Sequence, residues 1–77
     1  MPNGIQFDVG TSAKHPQDWG WYEVEVIEVQ TPIDRLVRVT GFQVTKPEAK
    51  NSWFEKQCRA YVGTEYSVPV ASLRTAM

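Results

Sequence analysis

Two side chains in this chain have the chemistry of a nucleophile and its base: Cys58, the one cysteine, and His15, the one histidine. A thiol attacks as thiolate when an imidazole holds or removes its proton, so the pair would have to meet in the fold. His15 falls in Thr-Ser-Ala-Lys-His-Pro-Gln-Asp-Trp-Gly (residues 11 to 20), which reads as a polar loop punctuated by Pro16 and Gly20. Cys58 falls on the apolar parity of an alternating stretch, the place of a small core filler. Glu23 and Glu25 are close enough for paired acid-base work, yet residues i and i+2 on the outward side of a strand form a solvated face. Neither a phosphate-cradling glycine loop nor a metal-ligand spacing is present. The expectation is a protein without catalytic residues, metal or cofactor, and so not an enzyme.

Aromatic side chains are the other chemically informative group. Trp19, Trp21, Tyr22, Phe42, Trp53, Phe54, Tyr61 and Tyr66 are too many large rings for the interior of a small barrel. Those left outside would bridge subunits or line a recognition surface, where exposed aromatics concentrate. Trp19 and Trp21 flank Gly20 at a loop-strand junction, so Trp19, Trp21, Tyr22, Phe42 and Trp53 are the expected partner-binding set. If the partner were a nucleic acid, bases would stack on those rings while Arg35, Arg38, Lys56 and Arg59 met phosphates.

The element that must position these rings is the stretch from Trp21 to Gln30. Tyr22, Val24 and Val26 share one face of an extended strand and Glu23 and Glu25 the other, after which Ile27 and Val29 continue the apolar role on the opposite parity. That slip predicts a bulge near Val26 and Ile27. Residues 5 to 9 read as a first strand, and residues 31 to 34 as a turn around Pro32. Residues 35 to 45 read as a third strand whose parity switches at Gly41, a second bulge signal. Residues 46 to 52 form a charged connector with room for one helical turn. Residues 53 to 62 read as a fourth strand, with Lys56 breaking its alternation. Gly63 to Glu65 then makes a tight hairpin into a short fifth strand around Tyr66, Val68 and Val70, with Pro69 marking a sheet edge. A closing 3₁₀ turn drops Leu73 into the core. No stretch shows helical spacing on this reading, so the expected fold is all-β: a small five-stranded SH3-like barrel, with an OB-type barrel as the alternative.

Length and composition agree with one domain over residues 1 to 77. Such a chain buries roughly 60% of its unfolded surface, which keeps the core thin and leaves a homo-oligomer open. Hydrophobic residues at 42% and charged residues at 22% argue against disorder. A single cysteine excludes an internal disulfide, which favours a cytoplasmic setting. No signal-peptide pattern or long apolar run is present, so a soluble small protein without a membrane partner is expected. The net charge of -1 argues against a general nucleic-acid binder. Charge is unevenly placed: six carboxylates against Lys14 up to Asp34 (-5), then seven cations against three carboxylates (+4). Cross-strand pairing of Glu23, Glu25 and Glu28 with Arg35 and Arg38 would account for this, and a basic face is the alternative.

Tyr22-Glu23-Val24-Glu25-Val26-Ile27-Glu28-Val29 followed by Leu36-Val37-Arg38-Val39-Thr40-Gly41-Phe42 resembles the opening hairpin of Tudor and chromo-barrel domains, and residues 68 to 74 resemble their last strand and 3₁₀ turn. The resemblance implies an SH3-like barrel and, at Tyr22, Phe42 and Trp53, an aromatic cage for a methylated lysine. Thr40 stands where a further aromatic is common, and the span from Trp53 to Leu73 is longer than in those domains. The ending Pro69-Val70-Ala71-Ser72-Leu73 is also similar to that of the plasmid-borne type II dihydrofolate reductases. Glu65-Tyr66-Ser67-Val68 replaces their catalytic Val-Gln-Ile-Tyr segment, so the barrel and oligomerisation are implied but not the activity. Together these features lead us to expect a binding module that uses exposed aromatics to recognise a protein or peptide, or to self-associate. The alternatives are a nucleic-acid-binding barrel and an oligomeric small-molecule-binding barrel.

Overall fold

A computed structural model describes residues 6–76. It contains one five-stranded antiparallel sheet in the order β4-β3-β2-β1-β5, built from β1 (Ser12–Gln17), β2 (Gly20–Val29), β3 (Asp34–Val44), β4 (Glu65–Pro69) and β5 (Arg74–Thr75). This is the expected small all-β class. β4 and β5 share no ladder among the described residues, so the outer strands are linked through the 3₁₀ turn Val70–Ser72 rather than by pairing.

Both bulges occur where parity slips. Val26 pairs with Val37 and Glu28 with Leu36, leaving Ile27 as the extra residue on β2. Glu23 pairs with Gly41 and Val24 with Val39, leaving Thr40 extra on β3. Each bulge turns the apolar set back inward, which is why Val37 and Val39 are buried before the second slip and Val44 after it. The resulting curl is visible in the packing: Ala13 of β1 and Val68 of β4 belong to one core with Val24, Val26, Val37, Val39, Leu73 and Phe7, although β1 and β4 are not sheet neighbours.

The first strand differs from expectation. Ile5 lies outside the described residues, and Phe7, Asp8 and Gly10 form turns, with φ of 55° at Phe7 and 90° at Gly10. Phe7 is still buried in the core. β1 instead occupies the stretch read as a polar loop. Its inward residues are Ala13, His15 and Gln17, opposite Val24, Tyr22 and Gly20 of β2, so the alternation was masked by polar side chains facing inward. Pro16 is tolerated because β5 reaches only Ala13 and Lys14, leaving that side of β1 open further along.

The fourth expected strand is a helix, α1 (Ser52–Tyr61). Asn51 caps it, its side-chain oxygen accepting from the Phe54 amide at 2.8 Å. Phe54 and Cys58 fall at i and i+4 and make its inner face, with Tyr61 at i+7 on the border, packed on Tyr22 yet exposed on its other side, so Lys56, the exception to the strand pattern, is an ordinary outward helix residue. Gly63, at φ 95°, follows the helix and leads into β4, in place of the expected hairpin. The connector before α1 does hold a single 3₁₀ turn, Pro47–Ala49, and β4 is a sheet edge, as Pro69 indicates.

Candidate functional site

The end of the sheet covered by α1 collects most of the aromatic rings. Trp19 occupies the β1-β2 turn, which Gly20 makes possible: a Cβ there would collide with the Gln43 carbonyl, and its φ is 154°. The Trp19 carbonyl accepts from the amides of Thr45 at 2.9 Å and Lys46 at 3.2 Å, tying the turn to the end of β3. Against this anchored turn the rings pack edge to face: Trp19 to Tyr22 at 5.0 Å, Trp19 to Phe54 at 5.2 Å, and Tyr22 to Tyr61 at 5.6 Å. Phe42 lies across from Tyr22 in the β2-β3 ladder and is half-buried.

The surplus of rings is thus absorbed in part by the unforeseen helix, which roofs a second aromatic layer outside the main core. Trp21 points to the other face of β2, under Lys14, whose ammonium sits 4.3 Å from the ring centroid. Its indole Nε1 is buried without a hydrogen-bond partner. Trp53 makes no ring contact with Tyr22 or Phe42 among the described residues and is 69% exposed, so the three cage positions do not converge. Of the expected partner-binding set, Trp19 and Tyr22 touch, Phe42 is beside Tyr22, Trp21 is on the opposite face and Trp53 stands alone on α1.

Tyr61, 54% exposed, was not in that set. At 100° per residue, Trp53, Gln57 and Tyr61 run along one flank of α1, and all three are exposed. The i, i+4, i+8 spacing would have revealed this ridge had the stretch been read as a helix. Val62, 42% exposed, continues it past the C-terminus.

Beneath the helix the two candidate reactive groups come to the same end of the molecule without forming a dyad. His15 Nδ1 lies 2.7 Å from the Tyr66 hydroxyl and 3.3 Å from Gln17 Nε2. The Gln17 amide nitrogen can only donate, so with this amide orientation the assigned tautomer has Nδ1 accepting and the ring proton on Nε2. Burial lowers the His15 pKa below its usual 6.5 and raises that of Tyr66. Tyr22 is pushed up to about 12, first by burial and then by the neighbouring Cys58, Tyr61 and Tyr66. Burial also raises the Cys58 thiol, which the Tyr22 hydroxyl partly offsets, and the residue is 2% exposed. A protonated, buried thiol is a poor nucleophile. Among the described residues no His, Cys, Asp and Glu side chains group so as to hold a metal ion.

Neither the expected pairing of Glu23, Glu25 and Glu28 with Arg35 and Arg38 nor the alternative basic face is assembled among the described residues. Arg35 is 2% exposed and its guanidinium donates to main-chain carbonyls: Nε to Phe7 at 2.9 Å, Nη1 to Thr31 at 2.8 Å and Asp34 at 2.9 Å, and Nη2 to Gln6 at 2.8 Å. It is a tie between the turn before β1 and the start of β3, with four of its five N–H groups committed to main chain instead of to an exposed basic face. Arg38 is opposite Glu25 in register but binds Glu65 on its other neighbour, at 2.9 Å. Lys56 and Arg59 remain exposed on α1. No described helix is long and apolar enough to cross a membrane.

Fold and site together define a small all-β domain carrying a helix-roofed aromatic cluster. No family model matches the chain, and neither a curated protein nor a solved structure does.

Proposed function

We propose that this protein is a non-catalytic binding module that grips a protein or peptide partner along the Trp53-Gln57-Tyr61 flank of α1. The observation that carries this reading is the exposure of Trp53, 69%, and Tyr61, 54%, on one side of a capped helix. Large aromatics left in water cost free energy that a partner recovers by covering them, and Trp and Tyr are the residues that most often dominate such contacts. The ridge is held in place rather than floppy: Tyr61 packs on Tyr22, and Phe54, next to Trp53, packs on Trp19. Preorganisation of that kind lowers the ordering cost of binding.

Support for a peptide over a nucleic acid comes from the cations. Arg35 is buried and Arg38 is engaged by Glu65, so two of the four expected phosphate ligands are committed elsewhere. Self-association through the same ridge is a special case of the proposal, with a second copy as the partner.

The test is selection from a random peptide library displayed on phage, run against the wild type and a Trp53→Ser/Tyr61→Ser variant, with sedimentation at several concentrations as a parallel arm. Peptides or a dimer that the wild type binds and the variant loses by at least tenfold support the proposal. If neither is found, or if both proteins bind equally, the ridge is not the recognition surface.

A further inference from the structure

A cavity of about 520 Å³ opens at the end of the β2-β3 hairpin remote from α1, lined by Gln6, Val29, Thr31, Pro32, Arg35 and Val70. Its size falls within the range of small-molecule sites, and Val29, Pro32 and Val70 make its wall largely apolar. Arg35 supplies the one formal charge among those lining residues.

The state of that charge is unusual. Its four hydrogen bonds all go to carbonyl oxygens, which offer dipoles but no net negative charge. No carboxylate lies within 4.0 Å of the guanidinium among the described residues. The neighbouring Asp34 carboxylate accepts instead from the Thr31 hydroxyl at 3.0 Å. A buried cation ordinarily requires a counterion, and carboxylate is the anion best matched to guanidinium geometry. Of the five N–H groups of an arginine, four are used here, leaving one on Nη2.

We infer that this cavity binds a small molecule with an apolar body and a single carboxylate, in the manner of a short or medium-chain fatty acid. The carboxylate receives the remaining Nη2 N–H and neutralises Arg35, while the hydrocarbon lies against Val29, Pro32 and Val70. One uncommitted donor suits one carboxylate oxygen, and the largely apolar wall disfavours the higher charge of a phosphoryl group. The site is at the opposite end of the hairpin from the aromatic ridge, so it stands or falls independently of the peptide-binding proposal.

Titration of the ¹⁵N-labelled full chain with sodium octanoate and, separately, 1-octanol tests this by NMR. Octanoate is expected to shift the amides of Val29, Thr31, Arg35 and Val70 saturably, and 1-octanol to bind at least tenfold more weakly. Val70→Trp, which fills the cavity, is expected to weaken octanoate at least tenfold. The inference is overturned by absence of saturable shifts, by equal affinity for the alcohol, by shifts confined to the Trp19 and Tyr22 end, or by unchanged affinity in Val70→Trp. Should that variant not fold, the comparison of acid with alcohol on the wild type decides alone.

Discussion

Replacing Arg35 by Met sets two opposed effects against each other. The substitution removes a buried cation, which by itself is neutral or favourable when a hydrophobic residue of similar length takes its place. It also takes the guanidinium donor from four carbonyls, of which those of Thr31 and Asp34 keep backbone amide donors. The Phe7 carbonyl is bonded in a buried setting and loses the most, about 2 kcal/mol. The Thr31, Asp34 and Gln6 carbonyls are bonded where water can reach, so each costs about 0.5 kcal/mol. Phe7 also sits at φ 55°, a conformation that costs a side-chain-bearing residue about 1 kcal/mol and that the Arg35 bond holds in place. The bonds win on this account, and Arg35→Met destabilises by about 3 kcal/mol, lowering the melting temperature by roughly 12 to 24 °C. Urea unfolding followed by tryptophan fluorescence measures this, with Arg38→Met as the control. The exposed Arg38-Glu65 pair, at 46% and 43% exposure, is worth under about 1 kcal/mol. A cost for Arg35→Met no larger than for Arg38→Met would refute the reasoning, because the charge penalty would then offset the bonds.

Gly20→Ala is expected to cost more than about 3 kcal/mol or prevent folding, since the added Cβ meets main chain rather than a movable side chain; a melting temperature within a few degrees of wild type contradicts this. Tyr22 has a folded pKa of about 12 against 10.0 when unfolded, so its contribution to stability is present below pH 10 and fades above it. A spectrophotometric titration should show one tyrosine ionising near 12, and Tyr22→Phe should remove that step. His15 is shifted the other way: neutral in the fold, it favours folding above pH 6.5 and destabilises as the pH falls below that value, when the unfolded chain takes up the proton first. Chemical denaturation between pH 5 and 7 should therefore show a slope that His15→Gln reduces.

The bulges were legible in the sequence because parity is a local property: Ile27 and the Thr40-Gly41 step break a two-residue period within a few positions. The helix was not, because Phe54, Cys58, Ala60 and Val62 satisfy a strand pattern almost as well as Phe54, Cys58 and Tyr61 satisfy a helical one. Asn51 as cap and the misplaced Lys56 were the signals that separate the two. β1 escaped because its inward positions after Ala13 are His15 and Gln17, polar residues whose partners, Tyr66 in particular, come from far along the chain. Arg35 escaped for the same reason. Two of its four acceptors, the carbonyls of Gln6 and Phe7, lie 29 and 28 residues away and nothing beside Arg35 announces them, so it counted as a surface cation. Of the expected aromatic set Trp19 and Tyr22 touch, while Trp21 lies under Lys14 and Trp53 stands alone on α1, a partition that depended on a helix whose period was misjudged.

The most direct measurement is the dissociation constant, by calorimetry, of the best library-selected peptide for the wild type and for Trp53→Ser, with urea unfolding confirming equal stability. An exposed hot-spot tryptophan predicts a loss of at least about 2 kcal/mol, close to thirtyfold in affinity. Equal affinity of the two proteins would contradict the account, because the ridge of α1 would then play no part in recognition.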